Sequence, residues 1–463
     1  MKKLYVLLTV AALISSGQNL SAQETLKSKI GQMLIVGALG TTMPDMRYPD
    51  MDTLKVDISE RNLGGVLEFG YNLKNLQQMQ LLSGNMKSLA RTPVFIATDQ
   101  EGGKVARLGS SNGFKATSTA YTMGTVIDNM DSTRLWASTM AGWLVEAGIN
   151  VDFAPVTDVL VNPKSPAIAG VQRSFNKNPL KVAEHAGYFI EELHKKNLIS
   201  ALKHFPGHGS AATDSHLGFT DITNTWADSE LVPYRELFSK GLVDIVMTGH
   251  LYNANIDTLP ATLSEKTVQG LLRNQLGYQG VVITDDMSMG AISKYYGFFE
   301  AAAMAINAGV DILLYNRNIL SDSTSLVRRL EDYLEKKVLD GTIPQSRIDE
   351  SYARIMALKN RYFYPSGVGS ITASLMPDKF ELQGYPNPFN GTIKFQVKIP
   401  VSSHAEVRIY DMLGREVALV MDDYKSRGVY YLSWNAGDLS SGLYFAVLHS
   451  GDFTQASKLM LLK

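Results

Sequence analysis

The sequence predicts an α/β chain: a (β/α)8 TIM barrel followed by a small all-β, immunoglobulin-like sandwich. Two patterns predict it. Between about residue 30 and residue 360, eight short apolar runs alternate with longer amphipathic stretches, and further on the apolar period drops to two. The apolar runs are 33–37, 65–69, 94–99, 151–155, 200–204, 245–249, 281–285 and 312–315. They are nearly continuous in hydrophobicity, as strands of a parallel sheet buried on both faces must be. Helical patterns lie between them at 75–90, 132–147, 179–196, 231–240, 265–276 and 300–308, and two more at 323–336 and 346–362 close the segment. An open doubly wound sheet would normally carry a glycine-rich phosphate loop after its first strand, and Gly37-Ala38-Leu39-Gly40 is not one.

The ends of the chain read differently. Lys2-Lys3, an apolar core from Leu4 to Ile14 and small or polar residues to Ala22 form a secretory signal over 1–22. That core is too short to span a membrane, and no later segment is long and apolar enough. The barrel is expected over 23–364 and a Pro-, Gly- and Ser-rich linker over 365–377. The sandwich follows over 378–463, with strands at 392–398, 405–410, 416–420, 428–434, 443–449 and 453–462. A net charge of −1 gives no global attraction to nucleic acid or to an anionic membrane. The absence of cysteine excludes disulfides, a thiol nucleophile and a lipid-anchoring cysteine.

Polar residues follow five of the eight runs, where a barrel places its chemistry. Asp99-Gln100-Glu101-Gly102-Gly103 follows the third, Asp158 the fourth, Lys203 to His216 the fifth, His250 the sixth and Asp285-Asp286 the seventh. The fifth stretch holds three of the chain's eight histidines, more than a plain surface loop gathers. Pro206, Gly207 and Gly209 forbid a helix there, so His204 and His208 do not share a helical face as a zinc-binding pair would. An acid/base loop explains it better. Asp214 and His216, two apart, leave an extended segment on the same side. The carboxylate can accept the Nδ1 proton, fix the tautomer and leave the other nitrogen to handle substrate protons.

A carboxylate at the end of a barrel strand can attack an anomeric carbon. Side chains alternate, so only one of Asp285 and Asp286 points inward; Asp285 is the candidate nucleophile and Asp286 the candidate helix cap. Asp99 suits the hydroxyls of a sugar, or a helix cap. Arg107 and Arg173 are candidates for holding substrate, or for structural ion pairs. Asp152 and Asp158 are expected to be structural.

Lys203-His204-Phe205-Pro206-Gly207-His208-Gly209 with Asp214-Ser215-His216 resembles the signature of glycoside hydrolase family 3, in its bacterial β-N-acetylglucosaminidase branch. Asp99 to Gly103, Arg173-Ser174-Phe175 and Asp285-Asp286-Met287-Ser288-Met289 match the same branch in the same order. The resemblance implies Asp285 as nucleophile of a retaining double displacement, and His216, oriented by Asp214, as acid/base. It implies Lys203, His204, Arg173 and Asp99 as ligands of an N-acetylglucosamine ring, and neither metal nor organic cofactor. A histidine departs from the usual two-carboxylate scheme. As a neutral base it does not repel phosphate, which leaves phosphorolysis open beside hydrolysis. A β-glucosidase and a non-catalytic sugar-binding surface protein stay open as well. Tyr385 to Asn390, Val407 to Val417, Ser441-Gly442-Leu443-Tyr444-Phe445 and Lys458 resemble a type IX secretion sorting domain. That implies an exported protein whose partners are the secretion machinery and N-acetylglucosamine oligosaccharides. This stretch could instead be a carbohydrate-binding module, but Tyr430, Tyr431 and Trp434, its candidate aromatics, are expected to pack the sandwich rather than stack on sugars.

Overall fold

The computed structural model describes residues 24–43, 49–364, 379–401, 403–425, 428–437, 439–451 and 453–462. The expected signal and linker lie outside them. All eight expected barrel strands form: β1 Leu34–Gly37, β2 Gly65–Leu67, β3 Phe95–Thr98, β4 Val151–Asp152, β5 Ile199–Phe205, β6 Ile245–Thr248, β7 Val281–Asp286 and β8 Ile312–Tyr315. Each pairs in parallel with its neighbour in sequence, and β1 pairs with β8 to close the barrel. The closing register sets Leu34 opposite Leu313 and Val36 opposite Tyr315. Closure explains why the strands read as unbroken apolar runs, since the helices cover their outer side and side chains fill the inside.

Beside several shorter turns of helix, two α-helices of seven and twelve residues were not legible. Leu26–Gln32 precedes β1, capped by Thr25, whose side chain accepts from Ser28 N. Pro49–Glu60 connects β1 to β2. Its buried Met51, Leu54 and Ile58 are interleaved with two equally buried carboxylates, Asp50 and Asp57, which hide the apolar stripe. The expected helix at 265–276 winds more widely, with bonds such as Leu276 N to Leu271 O.

The final barrel helix, Gln345–Phe363, is held by ionic contacts rather than by an apolar face alone. Buried Asp311 receives Arg273, Arg347 and Arg354 at 2.8, 2.7 and 3.1 Å. Buried Lys359 donates to Gln32 Oε1 and Gly64 O at the opposite side of the seam.

The C-terminal sandwich has its own core, built from Leu382, Phe395, Val397, Val407, Ile409, Ala446, Leu448 and Leu459 among others. One sheet has the strands Glu381–Tyr385, Thr392–Ile399 and Gly428–Asn435; the other has Ser403–Asp411, Glu416–Lys425, Gly442–Ser450 and Phe453–Leu461. Glu381–Tyr385 is the strand the periodicity missed, because only Leu382 in it is fully buried. Trp434 is 9% exposed and packs against Phe389 and Tyr444, as a core residue does. No helix among the described residues is long and apolar enough to cross a membrane.

Candidate active site

All eight site residues expected from sequence, Asp99, Arg107, Arg173, Lys203, His204, Asp214, His216 and Asp285, line one cavity of about 860 Å³ at the C-terminal end of the barrel. Their floor is a chain of buried ions. Lys203, 2% exposed, reaches from β5 to Asp99 and to Glu101, both at 2.7 Å. Arg107 grips the other oxygen of Asp99 at 3.0 Å. Arg173 forms a two-point fork on Glu101, at 2.8 and 2.7 Å, and its Nη2 lies 3.2 Å from His204 Nε2. The far side of the His204 ring rests on Asp158, with Nδ1 2.7 Å from Oδ2.

Charges this deep persist only because they are paired. Burial pushes Glu101 up, but Arg173 and Lys203 hold its carboxyl down at about 2. Asp99 likewise is raised by burial and brought below its ordinary value by Lys203 and Arg107. Burial lowers Lys203, and the two carboxylates more than restore it. Glu101 is thus the hub of the floor. Its motif was legible and its role was not, since nothing in the spelling Asp-Gln-Glu-Gly-Gly says which acid takes the two-point fork of an arginine. The glycines that follow turn a tight hairpin, with φ of +99° at Gly102 and +60° at Gly103, where side chains with a Cβ are strained.

Asp285 and Asp286 both line the cavity, and Asp286 does not cap the short helix Gly290–Ser293, which starts after Met289 with no side-chain cap; the two differ in what they bond. Asp286 Oδ1 accepts from Ser288 N and Asn316 N at 2.9 and 3.1 Å, so it fastens the start of the next segment to the loop after β8. Asp285 accepts only from the amide of Asp286, at 2.8 Å, and among the described residues no cation is paired with it. Burial raises Asp285, and the imidazoles of His204, His250 and His216 outweigh burial, leaving it below its ordinary value and ionised. His250, buried under the pair, has Nε2 2.9 Å from the Asp286 carbonyl.

The loop that carries Asp214 and His216 forms an exposed side of the cavity. His216 Nδ1 stands 2.7 Å from Asp214 Oδ1, which also accepts from the His216 amide at 3.0 Å. Burial raises Asp214, and those two bonds bring it below its usual value, so it remains a carboxylate that accepts the Nδ1 proton. The imidazole itself is 56% exposed, free to meet a leaving group. His204 and His208 do not converge as metal ligands. Their rings meet edge-on, 5.7 Å between centroids, with His204 turned to Asp158 and His208 Nε2 3.1 Å from Ser215 Oγ.

A parallel barrel with a free, ionised carboxylate at one strand end and an imidazole–carboxylate pair at another has the makings of a glycosidase. Residues 25–358 match the glycosyl hydrolase family 3 N-terminal domain, and the chain belongs to that family. Residues 383–462 match the secretion system C-terminal sorting domain, which marks the protein for export, to the medium or the cell surface. The chain is 33% identical over 348 residues to β-hexosaminidase A of Pseudoalteromonas piscicida, covering 69% of this chain and 56% of that protein. It is 34% identical over 289 residues to the β-hexosaminidase of Tolumonas auensis, covering 60% of this chain and 84% of that one. Among solved structures, a family 3 β-N-acetylglucosaminidase from Paenibacillus sp. str. FPU-7 superposes with a TM-score of 0.67 at 33% identity, over 77% of this chain and 66% of the other.

Proposed function

We propose that the protein is an exported, retaining exo-β-N-acetylglucosaminidase that removes terminal β-linked N-acetylglucosamine from peptidoglycan fragments or chito-oligosaccharides. The observation that carries this reading is Asp285: an ionised carboxylate with no cation tying it down, in one cavity with the His216–Asp214 pair. The relatives named as β-hexosaminidases support the substrate class.

In the first step an Asp285 oxygen attacks the anomeric carbon as the glycosidic bond breaks, and protonated His216 gives the departing oxygen its proton. In the second, neutral His216 takes a proton from water, which attacks the same carbon and releases Asp285. Asp214 holds the ring in one tautomer throughout and stabilises the imidazolium. Asp99, Arg107, Lys203, His204 and Arg173 hold the sugar against the floor. Asp99, together with Glu101 and Asp158 beneath, pairs each of those cations in advance, so the floor orients hydroxyls without presenting an unpaired charge to a neutral ring.

Initial rates on aryl β-N-acetylglucosaminide and aryl β-glucoside, with and without phosphate, test this for the wild type and Asp285→Ala. Preference for the N-acetyl sugar, lost in the variant and indifferent to phosphate, is the expected result. Stimulation by phosphate with a sugar 1-phosphate product would make the protein a phosphorylase. Inactivity on both glycosides would leave a sugar-binding protein.

A further inference from the structure

A second cavity, of about 490 Å³, lies at the opposite end of the barrel. Its wall includes Val94, Asn150 and Leu198, the residues just before β3, β4 and β5, so it opens at the N-terminal end of the strands, away from the catalytic residues. Nothing in the steps described above uses it. Its charge is one-sided. Lys87, Arg91 and Lys196 line it, and no aspartate or glutamate does. In a chain whose net charge is −1, that is a local excess.

The three cations come from the last turn of the helix Leu76–Leu89, the turn that follows it, and the end of the helix Pro179–Lys195. Lys87 donates to Gly148 O at 2.6 Å, and desolvation pushes its ammonium below the ordinary value with no carboxylate to restore it. Arg91 and Lys196 are exposed, and among the described residues neither side chain has a hydrogen bond or an ion pair. Glu192, an acid near Lys196 in sequence, is taken by Arg134 and Lys195 at 2.9 and 2.6 Å. Elsewhere on the barrel exposed cations meet acids, as Lys27 meets Asp332 and Arg235 meets Asp228, both at 2.7 Å. Helix-end carbonyls account for the two lysines singly. They do not account for Arg91, or for three like charges gathered around one hollow, which repel until an anion lies between them.

Three cations exceed the single charge of a carboxylate, whereas a phosphate ester brings nearly two charges and three acceptor oxygens. The cavity is far larger than a bare phosphate, and Tyr364 beside the cations is 44% exposed, an open ring for the apolar face of a sugar. We propose that this cavity binds a sugar phosphate, with the phosphate among Lys87, Arg91 and Lys196 and the sugar against Tyr364. The exported protein then holds a phosphorylated glycan at the end of the barrel that faces away from its catalytic cavity, and both ends can be filled at once.

Titration calorimetry of the full chain with glucose 6-phosphate, glucose and glucuronic acid tests this, beside adhesion to phosphatidylglycerol vesicles. Glucose 6-phosphate is expected to bind at a single site, at least about tenfold tighter than either other sugar. Its affinity should fall as salt is raised, and it should not slow hydrolysis of an aryl β-N-acetylglucosaminide. Arg91→Gln combined with Lys196→Gln is expected to weaken it at least about tenfold, with kcat/KM and melting temperature as in wild type. Equal binding of glucuronic acid, competition with the aryl glycoside, or binding unmoved by the double variant overturns the site. Adhesion to the vesicles without affinity for glucose 6-phosphate overturns it in favour of a membrane contact. Calorimetry reads binding whether or not the aryl glycoside is cleaved, so this site and the glycosidase reading fail separately.

Discussion

His208 Nε2 lies 3.1 Å from the hydroxyl of Ser215, and both side chains are buried although Ser215 stands between Asp214 and the exposed His216. The contact fastens the loop of Asp214 and His216 to the barrel from within. On the outside, Lys294 donates to Leu217 O at 2.8 Å, just beyond His216. The imidazole is therefore exposed but not adrift.

Ser215→Ala removes the inner fastening. The expected result is a fall in kcat of about fivefold, the worth of one hydrogen bond, with KM nearly unchanged and the fold intact. Steady-state kinetics beside a thermal melt check it; a KM effect without a kcat effect would contradict the role.

Asp285→Asn removes the proposed nucleophile and keeps its shape. Activity on an aryl β-N-acetylglucosaminide is expected to drop at least about 10³-fold, with thermal stability little changed. Added azide should restore turnover in the smaller Asp285→Ala and give an azide of inverted configuration, which proton NMR reads directly.

Asp214→Asn leaves the imidazole without its anionic partner. The expected loss is about 10²-fold in kcat, greatest for substrates with poor leaving groups that need a proton. Plotting rate against leaving-group pKa measures this, and a slope no steeper than wild type would count against the pair.

Glu101→Gln takes the hub from the floor and leaves buried Arg173 and Lys203 short of an anion. Destabilisation of about 3 kcal/mol is expected, along with a severe rise in KM. Thermal unfolding and sugar binding should both respond, whereas Asp286→Asn, away from the floor, should leave binding intact.

Glu230 gives a pH prediction. Burial raises its carboxyl to about 8, and the bond it accepts from the Gly209 amide only partly offsets that. With the folded value above the unfolded one, folding retains a proton that the unfolded chain has lost. Stability from this group is full below about pH 4.5 and declines as pH rises toward 8. Glu230→Gln should flatten that decline by about a few kcal/mol, seen as a smaller drop in melting temperature between pH 5 and pH 8.

The barrel was legible because a strand covered on both sides has to spell an unbroken apolar run. Where burial and polarity coincide the spelling fails, as at Asp50 and Asp57 in the first connecting helix; it fails also where a strand buries a single side chain, as at Glu381–Tyr385 in the sandwich. The Asp214–His216 pair was legible for a different reason, since two side chains two residues apart need no tertiary information to meet, although they meet across a turn closed by Leu217 N to Asp214 O and not along the expected extended segment. Glu101 could not be assigned in this way. Its partners Arg173 and Lys203 arrive from distant parts of the chain, and only their convergence shows which of two neighbouring acids anchors the floor.

The barrel and the sandwich each complete their own core, and every residue assigned to the reaction lies between Asp99 and Asp285, before the Asp311-anchored final helix ends at Phe363. The export label and the catalyst are therefore separable goods. A protease acting after that helix could detach the address on arrival and release a finished enzyme, and a cell could ship other barrels by joining them to the same tail.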